Sequence, residues 1–132
     1  MADDSGLTVG ALNGMPGVLS ARWAGAHGDD AANLRLVLAQ LAEAPDDRLG
    51  AAFVCAAALV TPAGAEQVEL GEMTGRLIRH PAGTNGFGYD PIFVPAGQSL
   101  TCGELAAEVK DAISHRGKAL RALAPHIVAA LD

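Results

Sequence analysis

The chain has 132 residues, half of them hydrophobic, and a formal net charge of −6. This length predicts one domain, residues 1–132, with a core of its own. The acidic balance argues against a protein that coats nucleic acid through its phosphates. No apolar run approaches the ~20 residues that cross a bilayer, and the acidic start lacks the basic residues of a signal peptide. We therefore expect a cytoplasmic protein that binds neither nucleic acid nor membrane.

The hydrophobic pattern predicts strands alternating with helices. Strands are expected at 6–12, 51–61, 67–78 (one or two strands, interrupted at Gly75) and 92–94. Helices are expected from Asp29 and Asp30 to Leu41, over 104–108, and from about Ser114 onward. The 51–61 run is almost entirely apolar, which is typical of a central strand buried on both faces. The mixture predicts an α/β (mixed α+β) domain.

The first group of residues suited to chemistry is Asp3-Asp4-Ser5, directly before the first predicted strand. Adjacent carboxylates suit Mg²⁺, a hard cation that prefers oxygen ligands and keeps several waters. One carboxylate is also placed to accept a proton from an attacking water. The alternative interpretation is a solvated turn or a helix cap, which Asp-Asp-Ser-Gly suits equally well.

The second group is the glycine-rich stretch 83–91, which contains Phe87, Gly88, Tyr89 and Asp90. Glycines allow the backbone to approach a ligand closely, and the two rings are suited to stacking on a nucleobase. Asp90 is a candidate hydrogen-bond acceptor for that ligand. The alternative is a tight loop whose aromatic rings fill the core.

The third group is the basic stretch 110–118, in which Ser114 precedes a helix and Lys110, His115 and Arg116 lie around it. Backbone N–H groups at a helix start favour an anion, and the planar fork of arginine suits a phosphate or the edge of a purine. The alternative is an ordinary helix cap with solvated basic residues. The two cysteines form no zinc-binding or redox pattern.

Together these motifs resemble the inosine triphosphate pyrophosphatase family, also described as dITP/XTP pyrophosphatases. The resemblance rests on ADDSGL at 2–7, LNGMPGVLSARWAG at 12–25, GFGYDPIFVP at 86–95 and EVKDAISHRGKAL at 108–120. GFGYDP and SHRGKAL are its most specific parts, and all four stretches occur in the family's order over nearly the whole chain.

The resemblance implies an Mg²⁺-dependent hydrolase that splits ITP, dITP and XTP between the α- and β-phosphates and so cleanses the nucleotide pool. It implies that Asp4 is the metal-linked proton acceptor, with Asp3 as a second candidate metal ligand. It implies substrate contacts from the remaining matched residues: Ser5, Phe87, Gly88, Tyr89, Asp90, Lys110, His115 and Arg116. The family fold is an elongated mixed sheet flanked by helices, usually assembled as a homodimer.

The sequence departs from the family pattern before its first motif. Family members begin with a strand and a Ser/Thr-x-Asn-x-x-Lys loop that grips the triphosphate, and neither occurs in these residues. We therefore expect the chain to lack the N-terminal part of the domain and, by itself, to have little activity. One alternative is an impaired remnant that binds purine nucleotide or a partner chain. A Maf-like nucleotide pyrophosphatase is a weaker alternative, because SHRGKAL points to the first family.

Overall fold

The computed structural model describes residues 2–60, 64 and 66–131, and it leaves the side chains of 2–4, 115, 116 and 126–131 undescribed. Its sheet is antiparallel, with the spatial order β1-β2-β3-β4. The strands are β1 Ala2–Val9, β2 Gly50–Val60, β3 Glu66–Leu77 and β4 Phe93–Pro95. The helices are α1 Asp30–Gln40, α2 Ala107–Ile113 and α3 His115–Leu131. This mixed α/β architecture confirms the predicted class.

The first strand begins earlier than predicted. Asp3, Asp4 and Ser5 lie inside β1, and Asp4 pairs with Ala56 of β2. The expectation that these residues precede the strand is therefore wrong. The reason is that β2 offers an unbroken apolar partner along this segment, and ladder hydrogen bonds outweigh the local turn preference of Asp-Asp-Ser-Gly. Residues 10–12, predicted as the end of the strand, form a 3₁₀ turn.

The central position of β2 is confirmed, but its burial differs from the prediction. Phe53, Cys55 and Ala57 are buried, whereas the intervening residues, such as Val54, are only half-buried. Both α1 and α3 pack on the face that carries Phe53 and Cys55, and this placement leaves the opposite face less covered. The predicted break in β3 is also wrong, because Gly75 pairs with both β2 and β4.

The starts of the first and last helices are predicted correctly, and the start of the middle helix is not. Asp29 caps α1 by accepting a hydrogen bond from the Ala32 N–H at 3.1 Å. Ser114 caps α3 in the same way, with its Oγ 3.0 Å from the Gly117 N. The middle helix, predicted at 104–108, instead begins at Ala107, because 101–105 form turns. No helix in the described part of the chain is both long and apolar enough to cross a membrane.

The main core lies between α1 and one face of the sheet, and residues from all four strands contribute to it. Leu7, Val9, Val37 and Phe93 are buried there, and the rings of Phe53 and Phe93 are 4.5 Å apart between centroids. The segment 17–22 runs along the outer edge of β1, where the Ser20 Oγ accepts a hydrogen bond from the Leu7 N–H at 2.9 Å. This arrangement brings the start of α1 beside β1 and opens a cavity next to the core.

Candidate functional site

A cavity of about 220 Å³ lies between β1, the start of α1, the loop 86–90 and the end of α2. Its floor is the sheet surface around Ser5, Leu7 and Phe53, and its wall is the loop 86–90, here called the aromatic loop. Pockets for drug-sized ligands usually enclose ~300–1,000 Å³. A cavity of this size therefore suits one planar group and leaves the rest of a larger ligand outside.

The two rings of the aromatic loop do different things. Tyr89 is buried, with 5% of its surface exposed, and its hydroxyl donates to the Ser20 carbonyl oxygen at 2.7 Å. Phe87 is 68% exposed and lines the cavity. Tyr89 therefore fills the core, as the alternative interpretation predicts, whereas Phe87 remains exposed and is available to stack on a ligand.

The Asp90 carboxylate is engaged within the loop. Asp90 is 4% exposed, and its Oδ2 accepts hydrogen bonds from the Phe87 N–H at 3.0 Å and from the Lys110 ammonium. Lys110 thereby forms an ion pair with Asp90 and places its Nζ 5.1 Å from the centroid of the Phe87 ring. Asp90, which the sequence predicts as a hydrogen-bond acceptor for a ligand, therefore stabilises the shape of the loop. Lys110 retains further N–H donors for a ligand.

The loop can take this shape because position 86 is glycine. Gly86 has a φ of +73°, and a Cβ atom there would overlap Asp90 Oδ2 and lie 3.1 Å from the Lys110 Nζ. Any larger residue would therefore compete with the ion pair for the same space. This conformational need gives the glycine pattern in the sequence a specific cause.

Asp30 is a site residue that sequence reasoning missed. It was identified only as a helix start, yet its Oδ2 accepts a hydrogen bond from the Gly88 N–H at 3.0 Å. Asp30 also lines the cavity, as does Asn33, a second residue outside the sequence motifs. Asp30 and Gly88 are 58 residues apart in the sequence, so no local sequence pattern predicts their contact.

Ser5 has a hydroxyl suited to a ligand. Its Oγ lines the cavity and is buried, and it has no hydrogen-bond partner within the described part of the chain. Buried hydroxyl groups are almost always hydrogen-bonded in native proteins. The exception at Ser5 indicates a position where a bound molecule or water completes the bonding.

Four predicted site residues have side chains outside the described part of the structure. Asp3 and Asp4 are placed in β1, immediately before Ser5, through their backbone alone. His115 and Arg116 are placed at the start of α3, directly after Ser114, in the same way. The backbone thus brings both pairs next to residues that line the cavity, and their roles stay predictions.

Two groups near the site have a raised pKa. Burial, with the Asp30 carboxylate adding to it, raises the pKa of Tyr89 to about 12. Burial also raises the pKa of the Cys102 thiol to about 12; Asp90 adds to this shift and Lys110 opposes it. Both groups stay protonated near neutral pH, so Tyr89 remains a hydrogen-bond donor and Cys102 behaves as a small buried apolar residue.

Comparison with known proteins matches residues 1–126 to the Ham1 family. A protein of Mycobacteroides abscessus named dITP/XTP pyrophosphatase is 66% identical over 95% of this chain and 61% of its own length. The crystal structure described as nucleoside-triphosphatase / dITP/XTP pyrophosphatase from Mycobacterium abscessus is 67% identical. It has a TM-score of 0.83 over 94% of this chain and 65% of that one.

A second solved structure, the Ham1 protein of Staphylococcus aureus, shares the fold at lower identity. It is 40% identical, with a TM-score of 0.91 over 97% of this chain and 66% of that chain. The chain thus spans slightly less than two thirds of the proteins that it matches. Because the family match covers nearly all of its residues, the chain belongs to the Ham1 family.

Proposed function

We propose that this chain forms the base-binding and catalytic part of a cytoplasmic pyrophosphatase that hydrolyses ITP, dITP and XTP to the monophosphate and pyrophosphate. The observation that carries the proposal is the cavity, in which the exposed Phe87 ring stands beside the Lys110 ammonium. A flat ring next to an N–H donor suits a purine with an oxygen at position 6. Relatives over 60% identical are named dITP/XTP pyrophosphatase, which supports the same substrate class.

The size of the cavity indicates which part of the nucleotide would lie inside it. About 220 Å³ suits a base, so the phosphates would lie toward Ser5 and the start of α3. Ser5 supplies a hydroxyl there that has no hydrogen-bond partner among the described residues, and Ser114 caps a 17-residue helix whose first N–H groups favour an anion. His115 and Arg116 follow in that first turn and would add positive charge.

Substrate choice would come from the guanidinium of Arg116 and from the N–H donors of Lys110 that its ion pair with Asp90 leaves over. A 6-oxo purine presents acceptors at O6 and N7, and lysine and arginine only donate. Adenine presents an amino group at position 6, and its binding would leave these further donors unpaired in a partly dry site. An unmet buried donor costs about 1–3 kcal/mol, so two such donors correspond to roughly 100-fold or more in kcat/KM.

Magnesium fits the composition of this site. Mg²⁺ usually binds through one or two carboxylates together with substrate phosphates and waters, and Asp3 and Asp4 lie in β1 next to Ser5. The described side chains contain no cluster of three or more His, Cys, Asp or Glu that would form a metal cage by themselves. When bound, the ion would neutralise phosphate charge.

Asp4 would act as the proton acceptor. One water adds across the anhydride bond between the α- and β-phosphates; its oxygen ends on the phosphate that it attacks, and its proton passes to the Asp4 carboxylate. The bond between that phosphate and the bridging oxygen breaks, and the nucleoside monophosphate and pyrophosphate separate. Asp4 later returns the proton to solvent, so that no other reactant is required.

The test is pyrophosphate release from ITP, dITP, XTP and ATP with Mg²⁺. It uses the extended protein, which we define as residues 1–132 preceded by the N-terminal segment of the Mycobacteroides abscessus relative. We expect kcat/KM for ITP to exceed that for ATP by about 100-fold or more.

Lys110→Ala and Arg116→Ala should lower both the rate and this ratio. Lys118→Ala is the matched control, because Lys118 is exposed and donates to the Glu72 carbonyl oxygen; similar rates for ITP and ATP in the unsubstituted protein would refute the proposal.

Nucleotide binding without turnover is the second candidate function. It is favoured by one observation, that residues 1–132 span 61–65% of the matched relatives. Measurements on the extended protein and on residues 1–132 together distinguish the two functions. Binding of ITP by residues 1–132 with no pyrophosphate release from either protein supports the second, and release by the extended protein supports the first.

We further propose that the protein forms a homodimer. Support comes from the outer face of β3, where Val68 and Leu70 are 48% and 68% exposed. Neighbouring exposed apolar side chains on a sheet often mark an association surface. Sedimentation analysis should give a dimer for the unsubstituted protein and a weaker dimer for Leu70→Ser.

A further inference from the structure

We propose that Asp30 is a positioning residue that holds the tip of the aromatic loop and thereby sets the affinity of the cavity for a purine base. This inference rests on the proposed function. Its physical basis is the hydrogen bond of 3.0 Å from the Gly88 N–H to Asp30 Oδ2. Asp30 touches the loop and not the phosphate side of the site, so its role is recognition and not bond breaking.

The rest of the aromatic loop is tied to itself or to the region behind it. The Phe87 N–H and the Lys110 ammonium share the Asp90 carboxylate. The Asp90 N–H donates to the Phe87 carbonyl oxygen at 3.2 Å, and the Tyr89 hydroxyl reaches Ser20. These bonds fix the inner half of the loop and the backbone turn.

The tip of the loop has a different support. Phe87 is 68% exposed, and Gly88 follows it directly. Gly88 has a φ of +62°, and a Cβ atom there would meet nothing within 4 Å, so packing does not hold the backbone at this point. The Asp30 carboxylate connects this unpacked tip to the rigid start of α1, and a bond to an ionised acceptor is roughly twice as strong as a neutral one.

The position of the tip matters because Phe87 separates two cavities. The second, of about 470 Å³, lies on the other side of Phe87 and Gly88 and also reaches Asp30. If the tip swings toward either side, the stacking face and the Lys110 donor no longer face the same base. Asp30 therefore keeps the ring and the ammonium aligned at one wall of the smaller cavity.

The chain contains a matched control for this carboxylate. Asp29 is the adjacent residue with the same charge, and it caps α1 through Ala32. Asp29→Ala removes one charge and weakens the helix start but leaves the bond to Gly88 intact. Asp30→Ala removes the same charge and that bond, whereas Asp30→Asn removes the charge but retains an oxygen that accepts from the Gly88 N–H.

The experiment measures the affinity of residues 1–132 for inosine 5′-monophosphate by calorimetry and the hydrogen exchange of the Gly88 amide by NMR. We expect Asp30→Ala to raise Kd about tenfold and to speed the exchange of the Gly88 amide, with substantial rescue of both by Asp30→Asn. Asp29→Ala should leave both unchanged although it lowers thermal stability. The affinity change then cannot be a consequence of general destabilisation.

Three results would overturn the inference in different ways. If the unsubstituted chain binds the monophosphate and Asp30→Ala binds it as tightly as Asp29→Ala does, Asp30 does not position the loop, and the proposed function stands. If the unsubstituted chain binds no inosine nucleotide, the base site itself is wrong and the inference falls with it. Faster Gly88 exchange in Asp29→Ala equal to that in Asp30→Ala would likewise contradict a specific role for Asp30.

Discussion

The floor and the wall of the cavity are held in different ways. Leu7 and Phe53 in the floor lie opposite each other in neighbouring strands and are buried in the main core. The wall depends on single polar contacts, among them Asp90 with Lys110 and Asp30 with Gly88. The floor is stabilised by many packing contacts of the core, whereas the wall is stabilised by a few polar contacts. Substitutions in the wall should therefore change recognition sharply, and substitutions at the floor's edge should test the chemistry without moving the backbone.

The largest expected effect is at the edge of the floor. Asp4→Asn in the extended protein should lower kcat for ITP by about 100-fold or more, because the amide retains the shape but loses the charge and proton affinity of the carboxylate. Since Asp4 lies within a paired strand, thermal unfolding should change little. Asp3→Asn is the companion variant and is expected to have a smaller effect. Turnover by Asp4→Asn close to that of the unsubstituted protein would remove Asp4 from the mechanism and make the floor a purely structural element.

The next largest effect concerns the wall. Gly86→Ala should destabilise the folded protein by about 3 kcal/mol. Part of this cost is the left-handed backbone, at about 1–2 kcal/mol for an L-residue, and the rest is disruption of the partly buried ion pair. Gly88→Ala is the control, because Gly88 is also left-handed but has open space around it, and we expect a loss of about 1 kcal/mol. Urea unfolding followed through the single tryptophan measures both; equal losses would show that the ion pair does not constrain position 86.

The same contrast explains what the sequence predicts well. Periodicity predicts the floor, since alternating apolar residues such as Leu7 and Val9 identify the buried face of a strand. Local chemistry also predicts both helix caps, Asp29 and Ser114, because each cap bonds to a residue within three positions of itself. The start of β1 was misjudged because the pairing of Asp4 with Ala56 is a tertiary effect.

For the wall, the sequence predicts which residue types are present but not how their side chains are arranged. The motif around Phe87 identifies a glycine-rich aromatic loop, but it does not tell which ring turns inward. That choice depends on the Tyr89 hydroxyl reaching Ser20, a residue 69 positions away. The role of Asp30 is hidden for the same reason, since its partner Gly88 is distant in sequence. Single long-range hydrogen bonds leave no periodic trace, whereas buried faces do.

The smallest expected effect is a pH dependence that comes from the wall alone. The pKa of Tyr89 is about 12 in the folded protein and near 10.0 in the unfolded chain, so the folded state holds this proton more tightly. Its contribution to the free energy of unfolding is fully present below pH 10 and is lost as the pH rises through 12, by about 3 kcal/mol in all. Tyr89→Phe should cost about 1 kcal/mol below pH 10 through the lost hydrogen bond to Ser20. It should lose less stability than the unsubstituted protein above pH 10, so the difference between the two shrinks and then reverses as the pH approaches 12. Cys102 is present in both proteins, so the stability that each loses as Cys102 ionises between pH 9 and 12 cancels in the comparison.

Tyr89 is the only tyrosine of the chain, so tyrosinate absorbance reports its ionisation directly. Parallel stability curves for the two proteins, or ionisation of the native protein near pH 10, would mean that the Tyr89 hydroxyl is open to solvent and that the wall is looser than its contacts indicate.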